Sequence, residues 1–174
     1  YGYDPDKAIE LLTEAGYADG FELVIDTEDD LKDVAYAAAS MLNDIGIDAT
    51  VRIWDWGVLR DQLIAGERLM VFGNWGNSTL DPSDLLVPKL RSNDRGNYSQ
   101  YANPELDALL DAAEIAVDRD ERADLYFQAQ EIIYNDAPWV FGYVRMEIEA
   151  CRANVVNWRP STDSRINLHR VALE

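Results

Sequence analysis

The chain has 174 residues, 48% hydrophobic and 28% charged, proportions of a folded domain rather than of a disordered tail or a fibre. Thirty-three acidic against 15 basic residues leave a net charge of −18, which repels nucleic acid and anionic membrane surfaces. A single cysteine, Cys151, and a single histidine, His169, exclude a disulfide framework and any cysteine-cluster or multi-histidine metal site, and no apolar run approaches the ~18 residues of a membrane span.

Asp4-Pro5 opens a helix, with Asp as cap and Pro in the first turn. Ala8, Leu11, Leu12 and Ala15 recur at helical spacing until Gly16. Residues 21–26 predict a short strand with Leu23-Val24-Ile25 buried. Asp29 and Asp30 read as the cap of a second helix, whose stripe is Leu31, Val34, Ala35, Ala38, Leu42 and Ile45. Residues 47–54 alternate as a strand, with Ile47, Ala49, Val51 and Ile53 on one face. A third helix over 55–65 closes at Gly66, and 69–75 is a third strand. Alternation of helix and strand implies an α/β fold with a parallel sheet flanked by helices.

Residues 73–103 are irregular, with a short helix expected at 82–90. Two longer helices follow. Asn103-Pro104 caps the first, and the second begins at 118–121 and stops at Pro138. Residues 139–144, 147–151 and 167–173 read as strands, the first two as a pair, with Cys151 buried among apolar neighbours.

In open parallel sheets ligands bind beyond the carboxyl ends of the strands. Three loops leave those ends: the first is Asp26 to Asp30, the second carries Trp54, Asp55 and Trp56, and the third carries Asn74, Trp75, Asn77, Ser78 and Thr79 and runs to Pro82. Indole faces with neutral amide and hydroxyl groups suit capture of a polar organic solute. Trp54, Trp56, Trp75, Asn74, Asn77 and Ser78 are the expected ligand contacts, with help from Tyr98. The same tryptophans also suit packing beneath a helix, and the polar residues suit plain turns.

Catalytic signals are missing. The chain has no phosphate loop and no dinucleotide fingerprint, so no cofactor is expected. His169 lies near the end of the chain, which leaves no base for a nucleophilic triad. The alternative is an α/β enzyme or a phospho-receiver-like domain. The latter wants an acceptor such as Asp55 and a late lysine, but no lysine follows Lys89.

Several phrases together carry a family resemblance. They are Tyr3-Asp4-Pro5-Asp6-Lys7-Ala8, Glu14-Ala15-Gly16-Tyr17, Leu42-Asn43-Asp44-Ile45-Gly46-Ile47 and Trp75 with Asp81-Pro82. Asn97-Tyr98-Ser99, Tyr101-Ala102-Asn103-Pro104-Glu105-Leu106, Arg122, Tyr126 and Asp136-Ala137-Pro138 complete the set. In this order they resemble the carboxy-terminal lobe of the family 5 (peptide/nickel-type) extracellular solute-binding proteins of ABC importers. The resemblance implies a type II periplasmic-binding-protein lobe with two extra helices in its second half. It implies a lobe over residues 1–154 and a segment, 155–174, that returns toward a missing amino-terminal lobe.

By the same resemblance the partners are a small solute and an ABC permease in the membrane. The protein would be periplasmic or extracellular, with a lipid anchor conceivable at the absent amino terminus. Peptide-binding relatives place an aspartate three residues after the loop tryptophan, to hold the ligand's amino terminus. Here that position is Ser78, which leaves peptide-like, oligosaccharide and opine-like solutes open, and no residue supports nickel.

Overall fold

The structure is a computed structural model and describes residues 2–146, 148–161 and 165–174. Its packing divides the chain into two units, one comprising Tyr1–Trp75 with Arg95–Gln100, the other Gly76–Asp94 with Tyr101–Glu174.

The first unit runs α1 (Pro5–Glu14), β1 (Glu22–Glu28), α2 (Lys32–Asp44), β2 (Asp48–Trp54), α3 (Trp56–Ile64) and β3 (Met70–Phe72). The expected cap at Asp4 forms, its carboxylate accepting from the Lys7 amide at 2.9 Å. The strands lie in the order β2-β1-β3, all parallel, with Glu28 beside Trp54 and Thr27 beside Phe72. Both crossovers carry a helix, as parallel pairing demands. Ile25, Ala35, Ala39, Ile47 and Ala49 form the core, and Leu12, Leu42, Val51, Met70 and Phe72 pack on it. The β2 stripe fades outward: Ile47 and Ala49 are buried, Val51 is half-buried and Ile53 is exposed.

Asp29 and Asp30 do not cap α2 as expected. They sit in a 3-10 turn, Asp29–Leu31, that runs straight into the helix, and Asp29 pairs with Lys32 at 2.7 Å.

The second unit holds α4 (Ser83–Leu90), α5 (Pro104–Ile115) and α6 (Arg119–Asp136). Asn103 caps α5 and Asp118 caps α6, each side chain accepting two amides of the first turn. Leu86, Leu90, Leu106, Leu110, Ala113, Ala129 and Ile133 form its core. Ala137 takes a left-handed conformation (φ 46) ahead of Pro138, which ends α6.

Beyond α6 the strand expectations need correcting. The described residues of 139–151 form no strand, and Glu147 lies outside the described residues. A strand requires a neighbour for its amides and carbonyls, and none pairs with this segment among the described residues. Cys151 is consequently exposed rather than buried. The expected strand at 167–173 reduces to β5 (Ala172–Leu173), antiparallel to β4 (Val155–Val156), and His169 stands in a turn before it.

Candidate functional site

Because β1, β2 and β3 are parallel, the loops after Glu28, Trp54 and Phe72 leave the same end of the sheet. Trp56 opens α3 at this rim, where the Asp55 carboxylate caps the helix by accepting from the Gly57 amide at 2.9 Å. Trp56 keeps 39% of its surface exposed and meets Tyr98 edge to face, with ring centroids 6.2 Å apart. Asn74 and Trp75 follow β3, both exposed. The rim is also electronegative. Burial pushes the Glu28 carboxyl above its ordinary range, and the neighbouring Asp30 and Asp55 charges push it further.

Trp54 is placed differently from Trp56. Its indole N–H donates to Asp26 at 2.6 Å, and the guanidinium carbons of Arg52 and Arg68 each lie 5.0 Å from its ring centroid. Asp26 is only 1% exposed. It accepts from Arg52 at 2.6 and 3.1 Å, and Arg68 approaches within 3.9 Å. Arg68 is held in turn by the Gln62 side chain from α3. The cluster joins β1, β2, α3 and the segment leading into β3, so it braces the end of β2 just before Trp56 opens α3.

Asn77 and Ser78 belong to the second unit, where their polar groups serve the loop itself. The Ser78 amide and hydroxyl and the Thr79 amide all donate to one Asp84 oxygen, at 2.8, 2.9 and 3.2 Å. Asn77 donates to the Asp81 carbonyl at 2.8 Å. These bonds draw the Asp84 carboxyl below its ordinary range, the Ser78 hydroxyl first.

Asp81 ties the same loop to the long helices. It receives both Arg122 end nitrogens at 2.8 Å, together with the Ser83 amide and hydroxyl. Arg122 also donates to the Ala113 carbonyl and the Tyr126 hydroxyl. At the far end of α6, Asp136 accepts from Tyr101 and Asn103, so residues of two separate sequence phrases meet there.

Asp26 was expected at the start of the first rim loop, but β1 runs on to Glu28, so Asp26 lies buried within the strand and its cluster was not foreseen. Its signal was an acidic residue at the end of the apolar run Leu23-Val24-Ile25, which must be paired if buried. A groove between α5 and α6, lined by Leu109, Gln128 and Ile132 among others, includes none of the expected site residues. Among the described residues no three His, Cys, Asp or Glu side chains gather as a metal site, and no helix is long and apolar enough to cross a membrane.

A three-stranded parallel sheet with aromatic and amide groups on its carboxyl-end loops, joined to a helical unit, defines a periplasmic-binding-protein-type solute-binding lobe. The chain belongs to the family described as bacterial extracellular solute-binding proteins, family 5, whose middle-region model matches residues 1–97.

Heme-binding protein A of Haemophilus influenzae is 35% identical over 80% of this chain and 27% of that protein. Di/tripeptide-binding protein 4 of Pseudomonas aeruginosa is 31% identical over 79% of this chain and 28% of its own length. The glutathione-binding protein GsiB of Salmonella typhimurium is 31% identical over 90% and 33%. Among solved structures, the periplasmic binding protein DppA from Helicobacter pylori in complex with the peptide STSA superposes with a TM-score of 0.74 at 36% identity. That match covers 80% of this chain and 28% of that one. The structure of HbpA2 from Haemophilus parasuis, at 24% identity, shares the fold with a TM-score of 0.78 over 99% of this chain and 38% of that chain. This chain therefore spans about a third or less of the curated relatives named here.

Proposed function

We propose that this chain is one jaw of a two-lobed receptor that captures a peptide-like solute and delivers it to an ABC import permease. The observation that carries the reading is the parallel register of β1, β2 and β3, which sends the Trp56 and Asn74-Trp75 loops off one end of the sheet. Trp56, paired with Tyr98, and Trp75 offer faces for stacking, and Asn74 offers an amide for hydrogen bonding. Trp54 acts from behind by fixing the strand end. Asn77 and Ser78 are proposed as polar contacts through the hydrogen-bonding capacity left after their loop bonds.

The relatives' names favour a peptide-like cargo over a sugar or opine: two speak of di/tripeptide and glutathione binding, and one solved relative holds a tetrapeptide. The negative rim disfavours a carboxylate-rich solute there. Ser78 in place of a carboxylate argues against copying the relatives' amino-terminus pairing unchanged.

The second jaw is an amino-terminal lobe beyond this sequence, and residues 155–174 return toward it. Solute touching both jaws biases a hinge toward the closed form, which is what a permease recognises. The receptor works in the periplasm or outside the cell.

Thermal shift of the full-length protein against di- and tripeptides, glutathione, heme, oligosaccharides and opines tests this reading. Stabilisation by a peptide-like compound is expected. Stabilisation by oligosaccharides alone would replace the proposed solute class, and no shift with any of them would remove the receptor reading.

A further inference from the structure

In the loop that leads into α4, the polar side chains spend donors on the loop itself. Asn77 donates to the Asp81 carbonyl, the Thr79 hydroxyl to Asn77, and the Ser83 hydroxyl to Asp81. Ser78 gives both its amide and its hydroxyl to one Asp84 oxygen, at 2.8 and 2.9 Å. A carboxylate only accepts, so the direction of the hydroxyl bond is fixed. Ser78 has given its one hydroxyl proton to Asp84 and offers lone pairs alone to anything outside. Its side chain is exposed, whereas Asp84 is half-buried.

The two aspartates of this loop differ in charge balance. Asp81 is matched by the Arg122 guanidinium, which reaches both of its oxygens at 2.8 Å. The Ser78 amide, the Ser78 hydroxyl and the Thr79 amide are all neutral, so none of these donors cancels the charge of Asp84. They do favour its ionised form. A hydroxyl that donates to an anion becomes a stronger acceptor in turn.

We propose that Asp84, acting through Ser78, is the specificity-determining residue of this loop and selects solutes that carry a primary ammonium group. This rests on the receptor reading, in which the loop meets the solute, and it names the solute's recognised group. An ammonium seated on the Ser78 hydroxyl oxygen stands about 4–6 Å from the Asp84 carboxylate, within reach of its charge. The charge that a neutral serine lacks is thus supplied by the residue that orients it. A carboxylate or an acetyl oxygen at the same place meets only lone pairs and a negative charge, and is turned away.

Calorimetric titration of the full-length protein with dialanine, trialanine and glutathione, each against its N-acetyl form, tests the assignment. The free amines should bind about tenfold to a hundredfold more tightly than their acetylated forms. Asp84→Asn keeps an oxygen for the loop donors and removes the charge, so it should erase most of that preference and leave binding of the acetylated forms nearly unchanged. Ser78→Asp combined with Asp84→Ser moves the charge to the outer position and should restore the preference. Equal affinity of the wild type for free and acetylated forms overturns the proposal without any variant having to fold. A loss in Asp84→Asn that falls equally on both forms also overturns it, since that marks a structural role alone. Binding of heme or an oligosaccharide, with none of the three amines bound, overturns it while the receptor stands. No binding by any of these compounds sinks the receptor reading, and this assignment with it.

Discussion

Asp26 carries a charge into the interior of the first unit, where an ion survives only with partners. Arg52, Trp54 and Arg68 supply them from three separate stretches of chain. Asp26→Ala should therefore cost about 2 kcal/mol, because it removes the acceptor of the Trp54 indole N–H and of Arg52, while Arg52 keeps access to solvent and Arg68 keeps Gln62. Urea denaturation followed by tryptophan fluorescence would check the loss, and an unchanged midpoint would mean that solvent replaces the carboxylate freely.

Asp81 makes a different prediction, about pH. Arg122, and after it Ser83, holds the Asp81 carboxyl well below the usual carboxylate range. A carboxyl whose pKa is depressed on folding adds stability above its unfolded pKa, near 3.8, and loses it as pH falls through the folded value. Solvent screens this pair, whose side chains are about a third exposed, so the contribution is about 1 kcal/mol. Melting temperature should drop from pH 5 toward pH 2 by more in the wild type than in Asp81→Asn.

At the scale of elements, the join between α2 and β2 is set by one close approach. Gly20 has φ +72, and a Cβ added there would lie 1.8 Å from the Gly46 carbonyl oxygen. Backbone cannot yield as a side chain can, so Gly20→Ala should cost about 2–4 kcal/mol. Gly46 itself has φ +93 but open space around it, so Gly46→Ala should cost only the left-handed penalty, about 1–2 kcal/mol. Equal losses in paired thermal melts would refute the close-approach argument.

The same contrast between local and distant causes explains what could be read from sequence. Asp4, Asn103 and Asp118 cap their helices with amides no more than three residues away, so those starts were legible. The parallel sheet was legible because each crossover had to contain its helix. The strands expected at 139–144 and 147–151 were misread because an apolar pattern is local, whereas a strand also needs a neighbour, and none pairs with the described residues there. The loops of the candidate site followed from topology alone. That Trp54 braces while Trp56 faces outward did not, since Asp26, Gln62 and Arg68 converge on Trp54 from distant positions.

For the whole molecule, the division of labour between the two tryptophans gives the sharpest prediction. Removing a stacking face costs about 1–2 kcal/mol of binding, which is roughly a 5- to 30-fold rise in Kd. Trp56→Ala in the full-length receptor should show that rise with a melting temperature near wild type, because the ring is well exposed and outside the core. Trp54→Phe keeps an aromatic ring but deprives Asp26 of its indole donor, so it should lower the melting temperature first. The 174-residue chain alone, holding one jaw's contacts, should give little or no heat with the same solute in calorimetry, because a hinge needs ligand on both sides to favour closure. Submicromolar binding by that chain would mean that the site is complete within it. A Trp56→Ala receptor with wild-type affinity would place the solute elsewhere than on the rim formed by the three parallel strands.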